Sequence, residues 1–99
     1  MLVPESALAL ARIADAAAIA RLSRTLIETG LPWSWVPRRV VASVRQPETN
    51  VLVARAGDRI AGFGIMRYGA EEAHLDLFAV DRLWQGLGLG RRLLEWLER

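Results

Sequence analysis

Residues 77–94 read LFAVDRLWQGLGLGRRLL, and the order of the pieces in this stretch decides the fold. An apolar run ends at Val80, a short turn follows, and glycines stand on alternate positions at Gly86, Gly88 and Gly90. Arg91 and Arg92 follow, within a run in which Leu89, Leu93, Trp96 and Leu97 recur at helical spacing. A strand therefore feeds a helix through a glycine-rich turn. The first amides of a helix lack intrahelical partners, and the helix dipole adds about half a positive charge at that end. Residues without side chains let those amides approach an anion, typically a phosphate. Arg91 and Arg92 agree with this reading, because cations in a first turn oppose the dipole unless an anion lies between. Taken alone, the stretch also allows a plain tight turn followed by two solvated arginines.

Before this turn, Glu72 to Val80 reads as a strand with His74, Asp76, Phe78 and Val80 on one face and Ala73, Leu75, Leu77 and Ala79 on the other. Val51 to Arg55 and Arg59 to Tyr68 read as a hairpin around Ala56-Gly57-Asp58. Gly62 and Gly64 interrupt its second strand, which marks a bulge or a close backbone approach. Further back, Leu8 to Arg12 makes a short strand and Asp15 stands at a helix N-cap. Ile19, Leu22, Leu26 and Ile27 follow at helical spacing up to Gly30, and Pro37 opens a second helix with Val40, Val41 and Val44 on one face. Pro47 ends it. The order is β-α-α-β-β-β-α, an α/β domain whose mostly antiparallel sheet is flanked by helices. Residues 1–99 form a single domain, and the absence of a C-cap or closing loop after the last helix suggests a domain cut short on its C-terminal side.

Composition narrows the function classes. With 53% hydrophobic and 24% charged residues the chain is a globular domain. All 13 basic residues are arginine, so the isoelectric point is near 10.4 although the net charge is only +2. Acidic residues are interspersed and no basic run exceeds two residues, which argues against a nucleic-acid interface. Without cysteine there is no disulfide, thiolate metal site or redox couple, and no metal is expected. The apolar N-terminal run lacks a basic leader and contains Glu5, Arg12 and Asp15, and no segment reaches the length of a membrane span. A cytoplasmic protein without a membrane partner is expected.

Two phosphate-binding motifs fail on the residues. A P-loop requires lysine, which the chain lacks. A dinucleotide turn requires a third glycine where Arg91 or Leu93 stands. What matches is Q-x-x-G-x-G, met by Gln85, Gly88 and Gly90. With the preceding LFAVDRLW it resembles the acetyl-coenzyme A signature of the GCN5-related N-acetyltransferase (GNAT) family, and the order of elements resembles that family along nearly the whole chain. EEAHLDLFAV (71–80) and LPWSW (31–35) look most like the ribosomal-protein alanine N-acetyltransferase branch.

The resemblance implies acetyl-CoA as cosubstrate and an amine acceptor, at a protein N-terminus or on a small molecule. The pyrophosphate would rest on the backbone of Gln85, Gly86, Leu87, Gly88, Leu89, Gly90 and Arg91. Phe78, Ala79 and Val80 would border the pantetheine arm, with the Phe78 amide as oxyanion donor. His74, oriented by Asp76, would be the base, and Trp33 and Trp35 would shape the acceptor pocket. Tyr68 could line the acceptor groove. The family's domain continues into further strands and a helix, so the chain resembles its N-terminal portion. Its last strand would then keep an open edge, able to pair with a second copy. Two rivals stay open: an inactive remnant that binds coenzyme A or a partner, and an unrelated nucleotide-binding module.

Overall fold

In the computed structural model, which describes residues 7–99, the elements follow the expected order. They are β1 (Leu8–Leu10), α1 (Ala16–Leu26), α2 (Pro37–Arg45), β2 (Thr49–Ala56), β3 (Arg59–Tyr68), β4 (Ala73–Val80) and α3 (Leu89–Leu97). Short 3₁₀ turns at Ile13–Asp15 and Arg82–Trp84 lead into α1 and away from β4. Glu5 and the opening of the apolar N-terminal run lie outside the described residues.

The four strands pair antiparallel in the order β1-β2-β3-β4, so β4 is an edge strand among the described residues. Helices cover both faces. On one, Ile19 of α1 and Val40 of α2 pack with Val53, Phe63, Ile65 and Leu77. On the other, Leu89, Leu93 and Leu97 of α3 pack with Leu52 and Met66. Covered on both sides, β3 is buried without interruption from Ile60 to Met66, as a central strand with two apolar faces must be.

Both readings of the β3 glycines hold: Gly62 adjoins a bulge, where Ala54 pairs with Gly62 and Arg55 with Ile60, and both glycines stand at close approaches. A β-carbon at Gly64 would stand 2.7 Å from Leu97 Cδ1 and 3.3 Å from Phe78 Cδ1; one at Gly62 would stand 3.1 Å from the Ala79 carbonyl oxygen and 3.2 Å from Leu93 Cδ1. Bare backbone at both positions lets α3 lie directly on the sheet. At its far end the Tyr68 hydroxyl donates to the Leu97 carbonyl at 2.6 Å. Tyr68 thus packs on the α3 face and supplies the cap that the local sequence of the helix lacks.

Two expectations are corrected here. The strict alternation along β4 fails because Ile65 pairs with Leu77 while Met66 pairs with Leu75, leaving Asp76 as the extra residue of a β-bulge. His74, opposite Arg67, is thereby separated from the face that carries Phe78 and Val80. Asp15, expected to cap α1, makes no such bond with the helix. Its buried carboxylate instead accepts from the Arg12 amide at 2.7 Å and from both guanidinium nitrogens of Arg55 at 2.9 and 2.6 Å. That pair ties the entrance of α1 to the end of β2.

The Arg55 hydrogen bonds hold the Asp15 carboxyl below its ordinary range, against the opposing effect of burial and with help from the Arg12 amide. A depressed folded-state pKa contributes stability that is complete above the unfolded value and is lost as pH falls through the folded one. Asp15→Asn is therefore expected to cost about 3 kcal/mol near neutral pH, by leaving Arg55 without its carboxylate. In thermal melts the gap between variant and wild type should close below about pH 4. A gap independent of pH would contradict this role.

Candidate functional site

The Asp81 amide donates to the Ala61 carbonyl at 2.8 Å, across the end of the β3–β4 ladder. Backbone groups alternate sides along an antiparallel strand, so Ala79 also faces β3, and Phe78 and Val80 point their amides and carbonyls outward. The Val80 carbonyl agrees: it accepts from Gln85 Nε2 at 2.8 Å, on the side away from β3. The outer edge therefore offers the Phe78 amide, the Phe78 carbonyl and the Val80 amide. A groove of about 530 Å³ runs along this edge, lined by Phe78 to Val80, by Leu26 and Ile27 at the end of α1, and by Arg82 and Gln85.

The groove ends at the glycine turn. Asp81 Oδ1 accepts from the Leu83 amide at 3.1 Å and starts the 3₁₀ turn; the chain then bends through residues 85–88 into α3. Gly86 and Gly88 have φ of +80° and +81°, in the left-handed region that disfavours side chains, and a β-carbon at either would meet nothing within 4 Å. Open space lies before them. Gly90 differs, being inside α3 with its hypothetical β-carbon 3.4 Å from Phe78 Cζ and 3.6 Å from Val80 Cγ2. The three alternate glycines thus divide: two bend the chain, and the third lets the Phe78 ring lie beneath the helix. The first helical bond of α3 runs from the Arg92 amide to the Gly88 carbonyl at 3.2 Å. The amides of Leu89, Gly90 and Arg91 precede it and remain without a helical acceptor. Arg91 leans toward Glu95 at 3.8 Å.

The other expected residues lie elsewhere. His74 Nε2 stands 3.4 Å from Glu72 Oε1, and Asp76 Oδ2 accepts from Arg67 Nε at 2.7 Å. Asp76 therefore holds Arg67 and does not orient the imidazole. Trp35 is a core residue, and the Arg39 guanidinium lies 3.8 Å over its ring. Trp33 is half-buried, donates from Nε1 to the Ala20 carbonyl at 3.3 Å and carries Arg24 over its ring.

Sequence reading missed Glu28, which organises this loop. Its buried carboxylate accepts from the Ser34 amide at 2.7 Å, the Trp35 amide at 3.2 Å and the Ser23 hydroxyl at 2.8 Å. Burial alone would raise the Glu28 pKa, but these donors, with Arg39 nearby, outweigh it and hold the group below its ordinary value. A charged residue just beyond a helix end is ordinary in sequence, so no pattern singled Glu28 out. Among the described residues no three His, Asp or Glu side chains gather to hold a metal, and no helix is long and apolar enough to cross a membrane.

Residues 33–99 match the family model described as the acetyltransferase (GNAT) domain. The chain is similar in structure to the ribosomal-protein-S18-alanine N-acetyltransferase from Escherichia coli, with a TM-score of 0.71 and 28% identity over 91% of this chain and 55% of that one. A ribosomal-protein-alanine N-acetyltransferase from Brucella melitensis biovar Abortus 2308 shares the fold, with a TM-score of 0.74 and 21% identity over 92% and 68%. So does an aminoglycoside 6'-N-acetyltransferase complexed with coenzyme A, with a TM-score of 0.76 and 20% identity over 92% and 52%. The chain thus spans between half and about two thirds of these proteins. No curated protein matches it in sequence.

The Glu28 clamp predicts that Glu28→Ala destabilises the fold by about 3 kcal/mol, since it removes charge-assisted bonds to two amides and a hydroxyl. Hydrogen exchange should accelerate at Ser34 and Trp35 well before it does in β3. Unchanged protection at those two amides would show that the loop is held by its tryptophans alone.

Proposed function

The chain belongs to the GNAT acetyltransferase family, and from that premise we propose that it transfers the acetyl group of acetyl-CoA to a primary amine. The observation that carries this reading is the outward-facing edge of β4, running beside the groove into the glycine turn. Acetyl-CoA supplies an acetyl group activated as a thioester. The chain's part is to bind, align and polarise.

Gln85 to Gly88 bend so that the free amides of Leu89, Gly90 and Arg91 face one anion, which suits a pyrophosphate. The amides of Phe78 and Val80 bind an extended arm as an added strand would, and Phe78 N–H is placed to donate to the thioester carbonyl. Transfer joins the amine nitrogen to the acetyl carbon and breaks the carbon–sulfur bond. The amine loses a proton to a base, and the leaving sulfur takes one up. His74 is our candidate base. Four residues from Phe78, about 13 Å along an extended strand, it acts through water, with its side chain 59% exposed. Trp33 keeps partly open surface for the acceptor, and Trp35 supports it from the core. The likeness of EEAHLDLFAV and LPWSW to the N-terminal acetylating branch, and the 28% identity to the Escherichia coli enzyme, favour a protein N-terminus as acceptor. The reading places the protein in the cytoplasm.

Proline substitutions test the edge directly. Val80→Pro removes an amide that faces outward, so the sheet should survive while affinity for acetyl-CoA falls about tenfold, the loss of one hydrogen bond. Ala79→Pro removes an amide facing β3 and should unfold the protein. Equal acetyl-CoA affinity in Val80→Pro and wild type by calorimetry would defeat the proposed binding mode. His74→Ala should lower kcat about a hundredfold while leaving acetyl-CoA binding intact. Binding without amine acetylation in the wild type would keep the cofactor site and remove the enzyme reading.

A further inference from the structure

A cavity of about 490 Å³ lies between the last turns of α2 and the start of β4. Its floor is one row across the sheet, for Thr49 of β2 pairs with Arg67 of β3 and Arg67 pairs with His74 of β4. Tyr68 and Gly69, consecutive in the chain, donate from their amides to the carbonyls of Glu48 and Glu72 at 2.8 and 2.7 Å. The two glutamates therefore flank the same end of β3, and both line the cavity. Its cations are engaged elsewhere. Arg67 Nε bonds Asp76 Oδ2 at 2.7 Å, and Arg39 lies over the Trp35 ring with the Glu28 carboxylate near it. Glu48 forms no ion pair among the described residues, and Glu72 has only the His74 imidazole, at 3.4 Å. The carbonyls that end α2 at Arg45 add the negative end of a helix dipole. Thr49 is 9% exposed, and its hydroxyl has no hydrogen-bond partner among the described residues. No buried side-chain oxygen there is left unpaired, so this oxygen opens into the cavity that Thr49 lines. It is a donor and acceptor that the fold leaves unused.

We propose that this cavity selects the acceptor, by receiving the cationic side chain of an arginine or lysine at the second or third residue of the peptide whose amino terminus is acetylated. The inference rests on the acetyltransferase reading given above and names the class of acceptor within it. Glu48 and Glu72 meet the charge, and the Thr49 hydroxyl takes a further donor. The distance suits such a peptide. His74 on the cavity floor and Phe78 belong to one strand, about 13 Å apart, so the floor lies that far from the amide assigned to the thioester carbonyl. Two residues of extended peptide cover about 7 Å, and a long basic side chain spans the remainder. The loop that carries Trp33 and Trp35 joins the two places, since Ile27 before it lines the groove and Arg39 after it lines the cavity. A guanidinium has donors enough for two carboxylates and a hydroxyl together. Glutamates that only solvate a surface would not distinguish a charged acceptor from a neutral one.

The test compares short peptides carrying arginine at the second or third position with the same peptides carrying citrulline, which keeps the shape of arginine without its charge. With saturating acetyl-CoA, the full chain should acetylate the arginine peptides with kcat/KM about tenfold higher, the effect of one charge-assisted contact, and mainly through KM. Added salt should shrink the difference. Glu48→Gln should bring the arginine peptides down to the citrulline level, and Glu48→Arg should reverse the preference, which a merely structural role for Glu48 would not do. Thr49→Val should weaken the arginine peptides about threefold. Calorimetric titration with the same peptides should give the same order without relying on turnover. Equal treatment of the two peptide sets by wild type, or a preference that survives both Glu48 substitutions, would overturn the proposal and leave the enzyme reading standing. If wild type binds acetyl-CoA but acetylates no peptide, the acceptor reading itself falls and this inference falls with it.

Discussion

The Asp81 amide meets the Ala61 carbonyl at the last rung of the β3–β4 ladder, and the position of that rung settles what the rest of the site can offer. One residue of slip would turn Phe78 and Val80 toward β3 and expose Ala79 instead, because amides and side chains both alternate with a period of two. Two devices oppose such a slip. The Gln85 side chain holds the outward Val80 carbonyl from the turn, and the bulge at Asp76, engaged by Arg67, absorbs the irregularity at the other end of the strand. Between them the edge that would bind an extended ligand is fixed by backbone geometry, with little demand on side-chain identity.

The Phe78 ring transmits this register to the helix. It lies between Gly64 of β3 and Gly90 of α3, two positions where a β-carbon would come within 3.3 and 3.4 Å of it. A larger residue at either place would separate strand from helix. The amides at the start of α3 would then lose their fixed relation to the amides at the edge of β4. Tyr68 secures the opposite end of the same helix through the Leu97 carbonyl. The small residues on this face thus set the distance between the first amides of α3 and the strand edge.

What could be read from the sequence and what could not follow from the range of the interactions. Pro37 opens α2 as expected, and β3 runs from Arg59 to Tyr68 as its apolar pattern implied, because both features are local. The glycine turn was legible for the same reason. The bulge was not, since one extra residue leaves composition and hydrophobicity unchanged while moving His74 away from the Phe78 face. Nor was the partner of Asp15, because Arg55 is 40 residues away and an acid before a helix is ordinarily a cap. The bonds of Glu28 and Tyr68 were hidden in the same way: each satisfies backbone groups of a neighbouring segment, and no periodicity announces such a bond.

The use of arginine throughout gains meaning once the partners are known. Arg55 engages a buried carboxylate through two nitrogens, and the guanidinium carbons of Arg24 and Arg39 stand 4.9 and 3.8 Å from the ring centres of Trp33 and Trp35. Both tasks need a planar, weakly hydrated cation. These side chains serve the fold, and they hold the α1–α2 loop beside the groove. The arginines without such partners have no comparable structural task, yet three of them border one cavity next to the strand edge. Like charges gathered at one place repel, and Asp58 and Asp81 on the same wall offset part of that repulsion.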